Sequence, residues 1–304
     1  MYALEVKNLS KSFDSIKAVD DASFTVPEGS VFGLIGRNGA GKTTTIRMMM
    51  NIYIPDSGEV ILRGTKIGQE FKDKVGYLPE ERGLYKKMKV MDTLLFLAEL
   101  KGKRGKNIES KALNYLKRFD LAERKNSKLE DLSKGNQQKI QFIAAVLHDP
   151  EFLIFDEPFS GLDPINTDLL KDIILEKKEE GKVIILSTHF MEFAEKLSDH
   201  IAMIDQGKII LKGSLTGIKS QFAQRNVALE AEGDLSFLDH ASFVEKVEYF
   251  GNRVGVKVKE ASQTQELLKL LVQNDVKVHK FAANEISLHE IFVTVAGKDS
   301  NNVI

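Results

Sequence analysis

Gly36-Arg37-Asn38-Gly39-Ala40-Gly41-Lys42-Thr43-Thr44 has the form G-x-x-x-x-G-K-T and is bounded on both sides by regular structure. Before it, Val31-Phe32-Gly33-Leu34-Ile35 reads as a buried strand; after it, Thr44-Thr45-Ile46-Arg47-Met48-Met49-Met50 reads as a helix. Strand, glycine-rich loop and helix, in that order, are the setting of a phosphate-binding loop. The glycines let the backbone curl so that successive N–H groups point at phosphate oxygens. The helix start adds unpaired donors and the positive end of its dipole. Lys42 then reaches the β- and γ-phosphates, and Thr43 offers a hydroxyl to Mg²⁺. The competing reading is a glycine-rich turn with an incidental lysine, and the flanking strand and helix weigh against it.

At 304 residues the chain is longer than one average domain, so a large domain with an appendage is expected. Its apolar fraction of 42% and charged fraction of 29% are those of a soluble globular protein. The 43 basic and 44 acidic residues balance, which gives no basic excess to attract nucleic acid. With no cysteine, disulfides and thiolate metal sites are excluded. The start, Met1-Tyr2-Ala3-Leu4-Glu5-Val6-Lys7, lacks the apolar segment of a signal peptide. No apolar run approaches the roughly 20 residues that span a bilayer. A cytosolic protein is therefore expected, with any membrane role reached through a partner.

Taken in order, Leu4-Glu5-Val6 and Ala22 to Val26 read as strands, the second ending at the turn Pro27-Glu28-Gly29. Phe13 lies between them, either as a core aromatic or as a ring free to stack on a purine. After the turn Pro55-Asp56-Ser57-Gly58, short strands follow at Glu59 to Leu62 and Lys74 to Leu78. From about Val90 to Leu147 the pattern is helical, with apolar faces from Leu94, Leu95, Leu97 and Ala98 and from Ala112, Leu113, Leu116 and Phe119. The basic stretch Lys101 to Lys106 reads as a solvated loop. Alternation then resumes through Phe152 to Phe155, Pro164 to Glu180, Val183 to Leu186, Phe190 to Leu197 and Ile201 to Ile204. Apolar strands alternating with amphipathic helices predict a parallel sheet covered on both faces. From about residue 224, strands at 227–231, 244–250, 254–259 and 276–281 and helices at 264–273 and 288–296 predict a small βαββαβ-like domain. Gly251-Asn252 would turn its hairpin, and 298–304 reads as a frayed tail.

Phe152-Leu153-Ile154-Phe155-Asp156-Glu157-Pro158 is an apolar strand ending in two carboxylates. Ligands of open α/β sheets sit at the carboxyl ends of strands, where the phosphate loop also lies. Asp156 is thereby placed to hold Mg²⁺, and Glu157 to polarise a water for attack on the γ-phosphate. Val183 to His189 ends a third strand, and position alone lifts His189 above the other histidines, which show no metal-ligand spacing. Leu132-Ser133-Lys134-Gly135-Asn136-Gln137-Gln138 starts a helix with Ser133 as N-cap. It is either a second anion site or an ordinary capped helix, and the residues alone favour the ordinary one.

Together these residues resemble the ATP-binding subunit of an ABC transporter over about residues 2–217. Gly36 to Thr43 is similar to the Walker A loop, and Phe155-Asp156-Glu157 to the Walker B end with its catalytic glutamate. The segment from Leu132 is similar to the family signature, Ser160-Gly161-Leu162-Asp163 to the D-loop, and His189 to the switch histidine. Phe13 falls where the family stacks adenine. The resemblance implies an α/β fold: a P-loop NTPase core with an antiparallel β subdomain and an all-helical insertion (about 88–149) in a domain over 1–217. A small α+β domain over 224–297 follows. ATP and Mg²⁺ are the implied cofactors, with Glu157, His189 and Lys42 catalytic and Thr43, Glu80 and Asp156 at the metal. Phe13, Gly36 to Thr44, Ser133, Gly135 and Asp163 would hold nucleotide, Ser133 and Gly135 acting on the ATP of a second copy or a paralogous subunit in a head-to-tail dimer.

Two departures stand out. The Q-loop glutamine of the family appears here as Glu80, in Leu78-Pro79-Glu80-Glu81, and Lys134 replaces a signature glycine, its side chain expected in solvent. The tail, through Ser287-Leu288-His289-Glu290-Ile291-Phe292, resembles ATPase subunits that serve separate ABC-2 type permeases, including sodium-efflux and drug-resistance systems. The function expected is therefore an ATPase on the cytoplasmic face of a membrane that powers export. A ribosome-associated ATPase would carry two cassettes, and a DNA-maintenance ATPase would carry a long coiled coil. A weakly active regulatory subunit is the remaining alternative, and Glu80 keeps it open.

Overall fold

The computed structural model describes residues 2–68, 71–81, 83–223, 226–251, 253–283 and 286–299. The chain divides into two compact units at Lys212/Gly213. In the first, strands β1 (Tyr2–Phe13), β2 (Ile16–Pro27) and β3 (Val31–Ile35) lead to α1 (Lys42–Met49). Then come β4 (Ser57–Leu62), β5 (Thr65–Lys66), α2 (Phe71–Lys74), β6 (Val75–Leu78) and the helices α3 (Val90–Leu100), α4 (Lys106–Arg118) and α5 (Lys134–Leu147). The unit is completed by β7 (Phe152–Asp156), α6 (Pro164–Glu179), β8 (Val183–Thr188), α7 (Met191–Leu197), β9 (His200–Asp205) and β10 (Lys208–Ser214).

Two sheets form. One is antiparallel, in the order β2-β1-β4-β5; the other runs β10-β9-β3-β8-β7-β6, with β9, β3, β8, β7 and β6 parallel. The continuous apolar runs read as strands are explained by burial on both faces. Along β7, Phe152 and Ile154 pack into one core with Leu34, Ile46 and Ile185, whereas Leu153 and Phe155 pack into the other with Leu116, Phe142 and Ile173. Each such side chain stabilises the fold by roughly 1.5–3 kcal/mol. Phe24 of β2 stacks on Phe32 of β3 with centroids 5.0 Å apart, fastening one sheet to the other.

The hairpin β1–β2 is longer than its sequence pattern shows. Register shifts after Val6, Leu9 and Lys11 break the strict alternation, and Asn8 and Asp21 take left-handed backbone angles, with Asn8 Nδ2 donating to Asp21 Oδ1 at 2.8 Å. Phe13 therefore ends a strand rather than sitting in a loop.

The helical insertion meets the sheet through α5. Gln141 Nε2 donates to Pro79 O at 3.4 Å and to Glu81 O at 3.1 Å, and His148 Nε2 lies 3.3 Å from Val75 O. Gly76 of β6 has no room for a side chain, because a Cβ there would overlap the carbonyl oxygen of Ala145.

The second unit contains α8 (Leu215–Ala223), β11 (Asn226–Glu232), β12 (Val244–Phe250), β13 (Arg253–Val258), α9 (Thr264–Gln273), β14 (Lys277–Ala283) and α10 (Leu288–Asp299). Its sheet runs β12-β13-β11-β14 and every pairing is antiparallel. The strands and helices read from sequence are in place, three consecutive strands, a helix, a strand and a helix, an order that the βαββαβ-like description does not match. Only the short 3-10 turn Ser236–His240 stands between β11 and β12. α8, not anticipated, crosses the interval between the two domains read from sequence, and Ser214 Oγ accepts from Gly217 N in its first turn at 3.2 Å. Lys298 and Asp299 belong to α10 rather than to a tail. Residues 300–304 and Asn252 of the expected hairpin turn lie outside the described residues.

The segment Ser287-Leu288-His289-Glu290 is a capping box at the start of α10. Ser287 N and Oγ each donate to Glu290 Oε2 at 2.6 Å, and Glu290 N donates to Ser287 Oγ at 3.2 Å.

Gly76→Ala is expected to destabilise the first unit by about 1–3 kcal/mol, because neither strand nor helix backbone can give way without loss of packing. Urea unfolding of the full chain measures it. An unchanged midpoint would show that α5 is free to move off β6.

Candidate active site

The phosphate loop leaves the end of β3 and enters α1 with glycine wherever the path is tightest. A Cβ on Gly36 would overlap the carbonyl oxygen of Ile204, and one on Gly41, which has φ 109°, would lie 2.5 Å from Ala18 O. Gly41 is the N-cap of α1, no side chain caps that helix, and no acidic residue sits in its first turn. Its leading N–H groups and dipole are left for a ligand. Lys42, 5% exposed, turns back on the loop: its Nζ donates to Gly36 O at 2.9 Å and Arg37 O at 3.1 Å.

Register brings the other strand ends alongside. Ile35 pairs with Thr188, and Ser187 pairs with Asp156, so β3, β8 and β7 end side by side. Asp156 is wholly buried. Ser187 Oγ donates to its Oδ1, while its Oδ2 has no hydrogen-bond partner. Burial pushes the Asp156 carboxyl up; the hydroxyls of Ser187 and Thr43 hold it down, and the neighbouring Glu80 and Glu157 push it up further.

Glu157 follows with a left-handed backbone, φ 50°, its N–H shared between Ser187 Oγ at 3.1 Å and Ser187 O at 3.2 Å. That conformation costs on the order of 1 kcal/mol and turns the side chain inward. One carboxylate oxygen pairs with Lys42 Nζ at 3.1 Å, and the other lies 2.9 Å from His189 Nδ1. Thr43 Oγ1 donates to Glu80 Oε2 at 3.3 Å. Lys42, Thr43, Glu80, Asp156, Glu157 and His189 therefore form one connected set. Asn38, Gly39, Gly41, Lys42, Thr43, Thr44, Glu80 and Glu157 line a single cavity beside Ala18. Ala40 is buried under the loop and Arg37 lies on its exposed side.

The remaining predicted residues stand apart from this cavity. Phe13 is 41% exposed at the end of β1, edge-on to Tyr53 at 5.4 Å, so it is not a core aromatic. Ser133 caps α5, accepting from Asn136 N at 3.3 Å, and Lys134 beside it is exposed. Gly135, the second residue of α5, faces the D-loop: a Cβ there would lie 3.1 Å from Gly161 O. Asp163 caps α6, accepting from Asn166 N at 2.9 Å and Asn166 Nδ2 at 2.5 Å, and those bonds hold its carboxyl below the usual range.

Ser187 is the functional residue that sequence reasoning missed. Its one signal was a polar pair, Ser187-Thr188, closing an otherwise apolar strand.

A family model described as "ABC transporter" matches residues 19–160. A second, described as "ATP-binding protein DrrA1-3-like, C-terminal domain", matches residues 213–296. The chain is 42% identical over 294 residues to the uncharacterized ABC transporter ATP-binding protein YhaQ of Bacillus subtilis, covering 97% of this chain and 98% of that one. It is 30% identical to the linearmycin resistance ATP-binding protein LnrL of the same species, over 97% of this chain and 98% of the relative. Among solved structures, an ATP-binding subunit of an ABC transporter superposes with a TM-score of 0.68 at 34% identity, over 72% of this chain and 93% of that one.

Ser187→Ala removes the hydroxyl that donates to Asp156 Oδ1 and one acceptor of the Glu157 N–H. The expected loss is about 1–3 kcal/mol in urea unfolding, the cost of unsatisfied buried polar groups. A neutral result would mean that water replaces the hydroxyl.

Proposed function

The chain belongs to the ATP-binding proteins of ABC transporters, and we propose that it is the ATPase subunit of an exporter whose membrane-spanning part is a separate permease of ABC-2 type. The observation that supports the chemistry is the chain Lys42–Glu157–His189, its lysine and carboxylate buried, beside an uncapped glycine loop. The N–H groups of Gly36 to Thr44 bind the phosphates. Lys42 leaves the loop carbonyls and Glu157 for the β- and γ-phosphate oxygens. That exchange frees the Glu157 carboxylate to orient a water and draw its proton as the water oxygen bonds to the γ-phosphorus and the bond to ADP breaks. His189, held on the other carboxylate oxygen, keeps Glu157 in place and contacts the leaving γ-phosphate. Phe13, exposed at a strand end, stacks on adenine.

The residues present suit Mg²⁺. Asp156 Oδ2 is buried and unpartnered, the Thr43 hydroxyl is beside it, and Glu80 faces that hydroxyl. Among the described residues no three carboxylates or histidines converge on one point, so protein oxygens alone do not make a cage. Such a donor set fits an ion that keeps waters and shares phosphate oxygens. When bound, Mg²⁺ neutralises charge that builds on the phosphates.

Ser133, Gly135 and Asp163 lie off their own cavity, and each motif occurs once, which supports completion of the site by a second copy or a paralogous subunit. No helix among the described residues is long and apolar enough to cross a membrane. Membrane passage is therefore assigned to the permease, with this chain peripheral on its cytoplasmic face. An apolar groove of about 400 Å³, lined by Met50, Tyr77, Leu84, Leu97 and Leu100, flanks the Pro79–Glu81 loop that Gln141 holds. It offers the permease a place to sense nucleotide through Glu80. The DrrA-like second unit and the resistance relative support export as the direction.

Glu157→Gln is expected to lower hydrolysis by about a hundredfold or more while ATP still binds, because the base is lost and the phosphate contacts are kept. Light scattering at saturating ATP should then show a dimer, and a persistent monomer would count against the shared site. Tagged protein taken from its native membranes in mild detergent should bring down a stoichiometric multi-span partner. Ribosomal partners with a clean membrane fraction would overturn the transporter reading and leave the ATPase chemistry standing.

A further inference from the structure

The departure at position 80 changes the charge of the phosphate cavity. Glu80 is exposed at its mouth, with Oε2 3.3 Å from the hydroxyl of Thr43, the second residue of α1. Asp156 lies behind, wholly buried with Oδ2 unpartnered, and Glu157 is beside it. Lys42 is the one cationic side chain among the described residues that line the cavity, and it is engaged with Glu157. A glutamine at position 80 has the same shape and offers the same oxygen to Thr43, but contributes no charge. This chain therefore lines the cavity with two carboxylates, Glu80 and Glu157, against one lysine, with the buried Asp156 behind them, where glutamine at position 80 would leave one.

We propose that Glu80 makes nucleotide binding conditional on a divalent cation, so that the site takes the metal–ATP chelate and rejects metal-free ATP. The inference rests on the ATPase reading above. At the effective dielectric of a partly exposed site, a carboxylate lining the same small cavity as a bound polyphosphate opposes metal-free ATP by roughly one to two orders of magnitude in affinity. The sign reverses when a divalent cation rides on the phosphates: the same charge then attracts the ion or the waters it keeps. A carboxamide can still offer its oxygen to the ion, but carries no charge to oppose bare phosphate and attracts the ion more weakly. The exposure of Glu80 also makes the discrimination sensitive to ionic strength, since salt screens a charge at the mouth more than one at the base of the cavity.

The test is ATP affinity of the full chain by calorimetry, in Mg²⁺ and in EDTA, for the wild type, Glu80→Gln and Glu80→Ala. The wild type should bind in Mg²⁺ and lose affinity steeply in EDTA. Both variants should narrow that ratio at least tenfold, chiefly through tighter binding of metal-free ATP, with the wild-type ratio also shrinking as salt is raised. A ratio unchanged in both variants, or weaker metal-free binding in them, overturns the proposal while the ATPase reading stands. Failure of the wild type to bind ATP even in Mg²⁺ overturns that reading, and this proposal with it. Matching unfolding midpoints of the three proteins exclude a folding defect as the source of any difference.

Discussion

A carboxylate sealed from water at the end of a buried strand is the constraint on which this molecule turns. Asp156 is wholly buried, and taking an ionised group out of water is costly unless hydrogen bonds or a counter-charge meet it. The protein meets half of that demand with the Ser187 hydroxyl and leaves Oδ2 open. Stability and function therefore pull in opposite directions at one side chain. The unsatisfied oxygen weakens the fold, and on the proposed function a cation with its phosphates would restore what is missing. The parallel register of β3, β8 and β7 makes the arrangement possible, because it sets Ser187 beside Asp156 and Thr188 beside Ile35 without help from any loop.

The same economy governs Lys42. Without ligand, its ammonium is satisfied by two loop carbonyls and by Glu157, so both the phosphate-binding cation and the candidate base are held in one buried pair. Binding a polyphosphate there, as proposed, would exchange partners rather than expose a naked charge. On the proposed mechanism the lysine would move its contacts to phosphate, and the glutamate, still held by His189, would be left facing the position of the attacking water. Such an exchange couples binding to the state of the base.

Sequence made the local part of this legible. The phosphate loop, Asp156, Glu157 and His189 are each marked by a polar end on an apolar run, and those marks survive because strand, turn and helix signals are short-range. What stayed hidden depends on register or on partners distant in the chain. Ser187 matters only because β8 lies against β7. The Lys42–Glu157 pair joins residues on either side of the helical insertion. In β1–β2 the bulges near Asn8 and Lys11 erased the period of two, so a long hairpin read as two short strands. In the second unit the elements were read but not their order in the sheet, since antiparallel pairing of β11 with both β13 and β14 leaves no local trace. Ser287 to Glu290 carried a plain S-x-x-E signal and drew notice as a family mark; its physical content is the cap of α10.

The chemistry of the signature helix shows why a serine suits a site completed from outside. Ser133 Oγ accepts from Asn136 N, which satisfies one of the orphan donors at the start of α5, yet its hydroxyl proton is not consumed by that bond. An aspartate would cap the helix equally well, as Asp163 does on α6, but would set a negative charge where a phosphate must approach. Serine caps through a lone pair and donates through its proton, so one atom serves the fold and an incoming anion together. Gly135, packed close to Gly161, keeps that helix start bare and ties it to the D-loop. A dipole-positive helix end with a hydroxyl proton to give, set away from its own phosphate cavity, suits an anion brought from outside, which is the physical ground for the second cassette proposed against this face.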